Sequence, residues 1–193
     1  MNKRKPLKRD IKFSTTEELR ENARKNYEDG PITSTYELNV ERVIELLNIA
    51  LASECVCVLR YLRHYYMATG LFMDAVKEEF MEHAEQEQKH AAMLAERITQ
   101  LGGEPDLNPD VFIQRSPTEY IEGETLRDMV ESDLIAERIV IDLYRQAIMY
   151  VSDYDTTTKR ILEHILAEEE DHADELSDMM EGLDGKPVSK KII

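Results

Sequence analysis

Apolar residues recur every three or four positions through four long stretches of the chain, and breaker-rich segments separate them. The first stretch, from about Asn39 to Thr69, reads NVERVIELLNIALASECVCVLRYLRHYYMAT, with Gly70 after it as the expected C-cap. The second runs from about Met73 to Leu101 and stops at Gly102-Gly103. The third covers about Thr125 to Ser152, and the fourth about Thr156 to Glu181, with Asp155 as its expected N-cap and Gly182 as its stop. No strand-like alternation competes with this 3.6-residue period. Helices of about 26 to 31 residues are each about 40 Å long. Short links make the first two stretches, and the last two, antiparallel hairpins. Between the hairpins lies GGEPDLNPDVFIQRSPTEYIEGE, long enough to cross the whole bundle. The pattern predicts an all-α, antiparallel four-helix bundle with one long crossover connection between its second and third helices.

The flanks read differently. Residues 1–35 form a basic N-terminal arm, expected to be partly disordered; residues 36–183 form the bundle, and residues 184–193 a C-terminal tail. Within the arm, STTEELRENARKNY predicts a short helix with a Ser or Thr cap, stopped by Gly30-Pro31. Within the crossover, Ser116-Pro117-Thr118-Glu119 predicts the start of another.

The informative positions are the ones that break the apolar stripes. On the first helix Leu47, Leu51, Val58 and Tyr65 mark the inner face, and Glu54 sits in the middle of it. On the third, Val130, Val140, Ile141 and Ile148 mark it, and Glu137 sits within. A lone carboxylate in a bundle core is costly unless it is paired or holds a metal. The second and fourth helices supply partners. Glu87 and His90, flanked by Phe80, Ala84, Ala91 and Leu94, lie one turn apart on one face. Glu169 and His172 stand likewise among Leu162, Ile165 and Leu176. Glu54 precedes Glu87 by 33 residues and Glu137 precedes Glu169 by 32, so each hairpin returns its pair to one level. Tyr61 follows Glu54 by seven residues, and Tyr144 follows Glu137 by seven. The chain reads as one hairpin used twice. Its four glutamates and two histidines form the ligand set of a di-iron or di-manganese carboxylate site. One E-x-x-H is a weak signal in so Glu-rich a chain; two, each matched to a core Glu, are a strong one.

Charge sharpens the picture. The chain carries −16 overall, yet Lys3, Arg4, Lys5, Lys8, Arg9 and Lys12 against Asp10 give the first twelve residues about +5. The remaining body, at about −21, repels nucleic acid and attracts cations. No run of about 18 apolar residues predicts a membrane span. The N-terminus lacks the apolar core of a secretory signal. Cys55 and Cys57, the only cysteines, point about 200° apart on a helix and cannot bridge each other. These features fit a reducing cytoplasm.

The motifs ASECVCVLRYLRH, EQKHA, SDLIAERIVIDLYRQAI and EEEDHADEL resemble those of the bacterioferritins and related ferritin-like proteins over about residues 39–182. The resemblance implies a ferritin-like bundle and a ferroxidase that oxidises Fe(II) with O2 or H2O2 for iron storage or detoxification. It implies two iron ions per subunit, with Mn or Zn as possible substitutes. Glu87 and Glu169 would bridge them; Glu54 with His90, and Glu137 with His172, would be terminal ligands. Tyr61 would donate a hydrogen bond to a ligand carboxylate. A homo-oligomeric shell follows, a dodecamer or 24-mer built from dimers. Three departures matter. Gln88 stands where haem-binding members have the haem-ligating Met, which predicts no haem. The fifth helix seen in the family is missing, and the basic arm is longer than usual; both features are similar to Dps-type dodecamers. Residues 3–12 then become a candidate DNA contact, against the alternative of a solubilising tail. A non-storage di-metal oxidase or peroxidase, like rubrerythrin or manganese catalase, is the other alternative, although two cysteines cannot supply the four-thiolate iron centre of a rubrerythrin.

Other groups weigh less. His83, one turn before Glu87, is an extra or transient iron ligand or, more simply, a hydrogen-bonded core residue. Asp133 is expected either to hold a ligand His from behind or to make a capping or surface ion pair. Tyr144 is expected to pack in the core with its hydroxyl satisfied. His64 and His164 read as structural or surface groups, and Cys57 as a small buried hydrophobe. Glu78, Glu79, Glu82, Glu85, Glu163, Glu168 and Glu170 read as a solvated acidic face, or as the inner lining of a mineral cage.

Overall fold

The computed structural model describes residues 13–25, 27–69 and 73–185. The basic residues 3–12, the expected cap Gly70 and the tail from residue 186 lie outside them. Among the described residues there are six α-helices and no strand: α1 (Thr16–Asn22), α2 (Val40–Met67), α3 (Asp74–Gln100), α4 (Pro109–Arg115), α5 (Leu126–Val151) and α6 (Thr156–Leu183). The four long ones match the expected stretches to within two residues at each end. None is long and apolar enough to cross a membrane.

Helix ends follow local chemistry. Asn39 accepts from the Arg42 amide at the start of α2, Thr125 and Asp128 form a reciprocal capping box on α5, and Asp155 caps α6 through the Thr158 amide. At the end of α3, Gly102 adopts φ +79°, and the amides of Gly102 and Gly103 bond the carbonyls of Thr99 and Ile98. This Schellman closure needs a residue without Cβ strain at position 102.

The crossover departs from expectation. Its helix is α4, capped by Asn108 with Pro109 at the first turn, and it ends where a helix was expected to begin. The Ser116 hydroxyl instead accepts from the Thr118 amide two residues on, a hydroxyl turn that competes with helix. The strap is tied down along α2: Asn48 bonds Glu104 and Asp106, Arg60 donates to the Glu119 carbonyl and His64 bonds the Ile121 carbonyl. These contacts succeed one another along the helix, so the connection runs its length and carries the chain to the C-terminal end of α2.

The expected inner stripe of α2 drifts after Glu54. Val58 and Tyr65 are half-buried, while Cys57, Tyr61 and His64 are buried. The buried positions recur every seven residues, as Leu47, Glu54, Tyr61 and as Ala50, Cys57, His64, so the face follows a 3.5-residue seam. The apolar core forms two clusters. One gathers Leu47, Leu51, Leu94, Ile98, Tyr144 and Ile165; the other gathers Cys57, Tyr61, Phe80, Val130 and Leu176. Each long helix changes from one cluster to the other at its polar interruption.

Candidate metal centre

The six groups singled out in the sequence meet between the two apolar clusters. Glu54 comes from α2, Glu87 and His90 from α3, Glu137 from α5, and Glu169 and His172 from α6. All are at most 2% exposed. They form two overlapping sets, Glu54–Glu87–His90–Glu169 and Glu87–Glu137–Glu169–His172, and within each set the potential ligand atoms lie within 4.8 Å of one another. Glu87 and Glu169 belong to both.

Their oxygens divide between the imidazoles. From Nδ1 of His90, Glu87 Oε2 lies at 3.2 Å, Glu169 Oε1 at 3.1 Å and Glu54 Oε2 at 3.3 Å. From Nδ1 of His172, Glu87 Oε1 lies at 3.3 Å and Glu169 Oε2 at 3.6 Å. Each shared carboxylate thus turns one oxygen to each histidine. Five carboxylate oxygens (Glu54 Oε2, Glu87 Oε1, Glu137 Oε2 and both of Glu169) and His172 Nδ1 are buried without a hydrogen-bond partner. Orphaned oxygens in this number are what a cation-binding cage requires and an ordinary core avoids.

A second layer orients the first. The Tyr61 hydroxyl of α2 donates a short hydrogen bond to Glu137 of α5, and Tyr144 of α5 donates one to Glu54 of α2. Tyr144 is therefore the counterpart of Tyr61, as the repeated Glu-x6-Tyr spacing implied. The histidines are held from behind in the same crossed manner. His90 Nε2 lies 2.6 Å from Glu168 Oε2, and His172 Nε2 lies 2.6 Å from Gln86 Oε1. Gln86 and Glu168 were not singled out from the sequence for this role. Each immediately precedes the Glu of an E-x-x-H motif, and that shared offset was the available signal.

Asp133 does not touch either of these histidines. It pairs with Arg60 Nε at 2.6 Å and His64 Nδ1 at 2.7 Å in a fully buried triad. Its four-residue step before Glu137 places it one turn nearer the start of α5, beside the strap rather than the carboxylate–imidazole cage. His64 is thereby structural, whereas His164 is exposed. Cys57 is buried, and burial drives its thiol well above the usual range.

The electrostatics record the crowding of acids. Burial, then the charges of Glu169 and Glu87, raise both Glu54 and Glu137 well above ordinary carboxyls. For Glu87, burial is outweighed by contacts with Glu54, His172 and His90, which lower it well below. Burial likewise opposes charge on His172, but Glu169 and Glu87 lift it to about 11. His90 is raised too, as Glu169, Glu54 and Glu87 outweigh burial. These opposed shifts follow from packing acids and imidazoles together in one buried site.

An all-α bundle closed around a buried, twofold-repeated carboxylate–imidazole cluster defines the class to which the chain belongs. The chain belongs to the ferritin-like family, whose ferritin-like domain description matches residues 44–185. Among similar proteins is a bacterioferritin of Mycolicibacterium paratuberculosis, 33% identical over 143 residues, which are 74% of this chain and 86% of that protein. A dodecameric thioferritin, the bacterioferritin-related protein of Bacteroides fragilis, superposes with a TM-score of 0.74 at 31% identity, covering 77% of this chain and 90% of that one. Rhodobacter capsulatus bacterioferritin, solved with a metal-free dinuclear site and haem iron, gives 0.67 at 31% identity, covering 75% and 87%.

Proposed function

We propose that the chain is a ferroxidase that binds two Fe(II) ions as substrate and oxidises them with O2 or H2O2, within a homo-oligomeric shell that stores or detoxifies iron. The observation that carries this reading is the division of the Glu87 and Glu169 oxygens between the two imidazoles, with Glu54 and Glu137 at the flanks. Glu87 and Glu169 are the shared ligands; Glu54 with His90, and Glu137 with His172, serve one position each. Carboxylate oxygens with imidazole nitrogens suit iron, manganese and zinc. Two adjacent ferrous ions supply the two electrons that convert O2 to peroxide or H2O2 to water.

The protein's own groups do the rest. Tyr61 and Tyr144 hold Glu137 and Glu54 with one oxygen each, leaving the other oxygen for metal. Glu168 and Gln86 fix the imidazoles with Nδ1 inward. Four carboxylates balance the charge of two divalent ions. The apolar clusters on either side exclude bulk water. The reading includes no haem, because Gln88 is exposed and offers an amide where a haem-ligating thioether would stand. The dodecameric state of the Bacteroides thioferritin supports a shell, whose size light scattering or electron microscopy would measure.

Aerobic Fe(II) oxidation tests the assignment. The wild type is expected to oxidise Fe(II) far faster than the Glu54→Ala and His90→Ala variants. Equal rates in all three would refute it.

A further inference from the structure

Beside the centre, on its His172 side, three groups meet that the dinuclear cage does not use. His83 of α3 is 1% exposed and points Nε2 outward between Glu79 and Glu175. Glu175 Oε2 of α6 lies at 2.9 Å and Glu79 Oε1 of α3 at 3.5 Å from that nitrogen. Cis ligands of a six-coordinate ion with bonds of about 2.1 Å stand about 3.0 Å apart, so the three atoms span one coordination face. Glu79 is partly exposed and Glu175 half-exposed, which leaves the opposite face to water. Among the described residues, no lysine or arginine pairs with either carboxylate.

His83 is an unusual ring to find in this position. Its Nδ1 is buried with no hydrogen-bond partner, so the tripod is its polar engagement. Its face stacks on His172, with ring centroids 4.1 Å apart. The tripod is thus separated from the buried cage by two stacked imidazoles.

We propose that Glu79, His83 and Glu175 form a third divalent-cation site, which docks the incoming metal at the surface before it enters the buried position nearest His172. The docking role rests on the ferroxidase reading; the site itself does not. One imidazole and two carboxylates select a first-row divalent ion over Mg(II) or Ca(II), which prefer all-oxygen sites. The site is half open, so it binds more weakly and exchanges faster than the cage.

Anaerobic Co(II) titration tests the site, with bound metal counted by equilibrium dialysis and followed by d–d absorption. The variants are Glu79→Gln/Glu175→Gln, at partly exposed positions that leave the core intact, and Glu54→Gln/Glu137→Gln. Three ions per wild-type chain and two in Glu79→Gln/Glu175→Gln are expected. Equal counts in those two proteins overturn the site. A single ion, lost in Glu79→Gln/Glu175→Gln and kept in Glu54→Gln/Glu137→Gln, upholds the site and sinks the dinuclear reading instead. Stopped-flow Fe(II) oxidation tests the role: the Glu79→Gln/Glu175→Gln protein is expected to be at least threefold slower at sub-saturating Fe(II), with an unchanged plateau. An unchanged rate at every Fe(II) concentration overturns docking.

Discussion

Replacing Glu54 with Gln is expected to have opposite effects on the metal-free and metal-loaded proteins. In the metal-free fold, burial and the neighbouring Glu169 and Glu87 charges hold the Glu54 carboxyl well above the ordinary carboxyl range. A group raised on folding contributes its stability at low pH and loses it as pH rises toward the folded value. Where Glu54 stays protonated at pH 7, folding must take up a proton that the unfolded chain has already released. That costs up to about 3 kcal/mol at pH 7, and under about 1 kcal/mol at pH 5. Glutamine keeps the oxygen that accepts from Tyr144 and needs no proton. In EDTA at pH 7 the variant is therefore expected to melt about 6–12 °C above the wild type, at about 2–4 °C per kcal/mol for a domain of this size. The advantage should shrink to about 3 °C or less at pH 5. With Co(II) or Mn(II) added, the order should reverse, because the wild type gains binding free energy that an amide supports poorly. Thermal melts at both pH values, with and without metal, make the comparison. A Gln variant less stable than the wild type in EDTA at pH 7, or equally favoured at both pH values, would contradict the electrostatic account of the cage.

Three further predictions rest on groups around the centre. Asp133→Ala leaves the buried Arg60 guanidinium uncompensated and should cost about 3–5 kcal/mol by chemical denaturation, while anaerobic Co(II) stoichiometry stays at the wild-type value; a cost under about 1 kcal/mol would make the triad dispensable. Asp155 caps α6 and accepts from Tyr36 and Arg97; although burial opposes its charge, the Thr158 and Tyr36 bonds and Arg97 hold it below the usual carboxyl range. Its contribution is present above the unfolded value near pH 4 and is lost as pH falls through the depressed folded value, so Asp155→Asn should destabilise at pH 7 by about 1–2 kcal/mol and progressively less below pH 4; a pH-independent difference in denaturation midpoint would reject this. Glu168→Ala frees His90 Nε2 and should weaken metal affinity about 10–100-fold, measured by competition with a chelator, with little change in melting of the metal-free protein; unaltered affinity would show that His90 needs no such support.

The long helices were legible because their period, caps and breakers agree, and the cage because Glu54 and Glu137 interrupt apolar stripes at matched offsets. The inner face of α2 was read one position off beyond Glu54: Val58 and Tyr65 continue the Leu47 stripe of a straight 3.6-residue helix, whereas the buried seam keeps a 3.5-residue repeat through Cys57, Tyr61 and His64. The crossover was harder. Asn108-Pro109 and Ser116-Pro117 offer the same cap-and-proline signal, and only tertiary tethering of the strap to α2 decides between them. Asp133 misled because one-dimensional spacing cannot show that Arg60 and His64 reach it first. Glu168 was read as part of a solvated acidic face and Gln86 was not singled out, since a solvated group and an imidazole's support differ only in what lies across the seam. The basic residues 3–12 remain a sequence-level expectation.

Each of the two ligand sets draws on three helices, and both take groups from α3 and α6, which belong to different hairpins. On the ferroxidase reading, ions seated there would act as rivets through the seam between two halves also joined by packing and by the Arg60–Asp133 and Arg97–Asp155 ion pairs. Loading should therefore slow amide hydrogen exchange along the facing turns of α3 and α6 more than at the hairpin tips, making the cargo a fastener of the vessel that carries it.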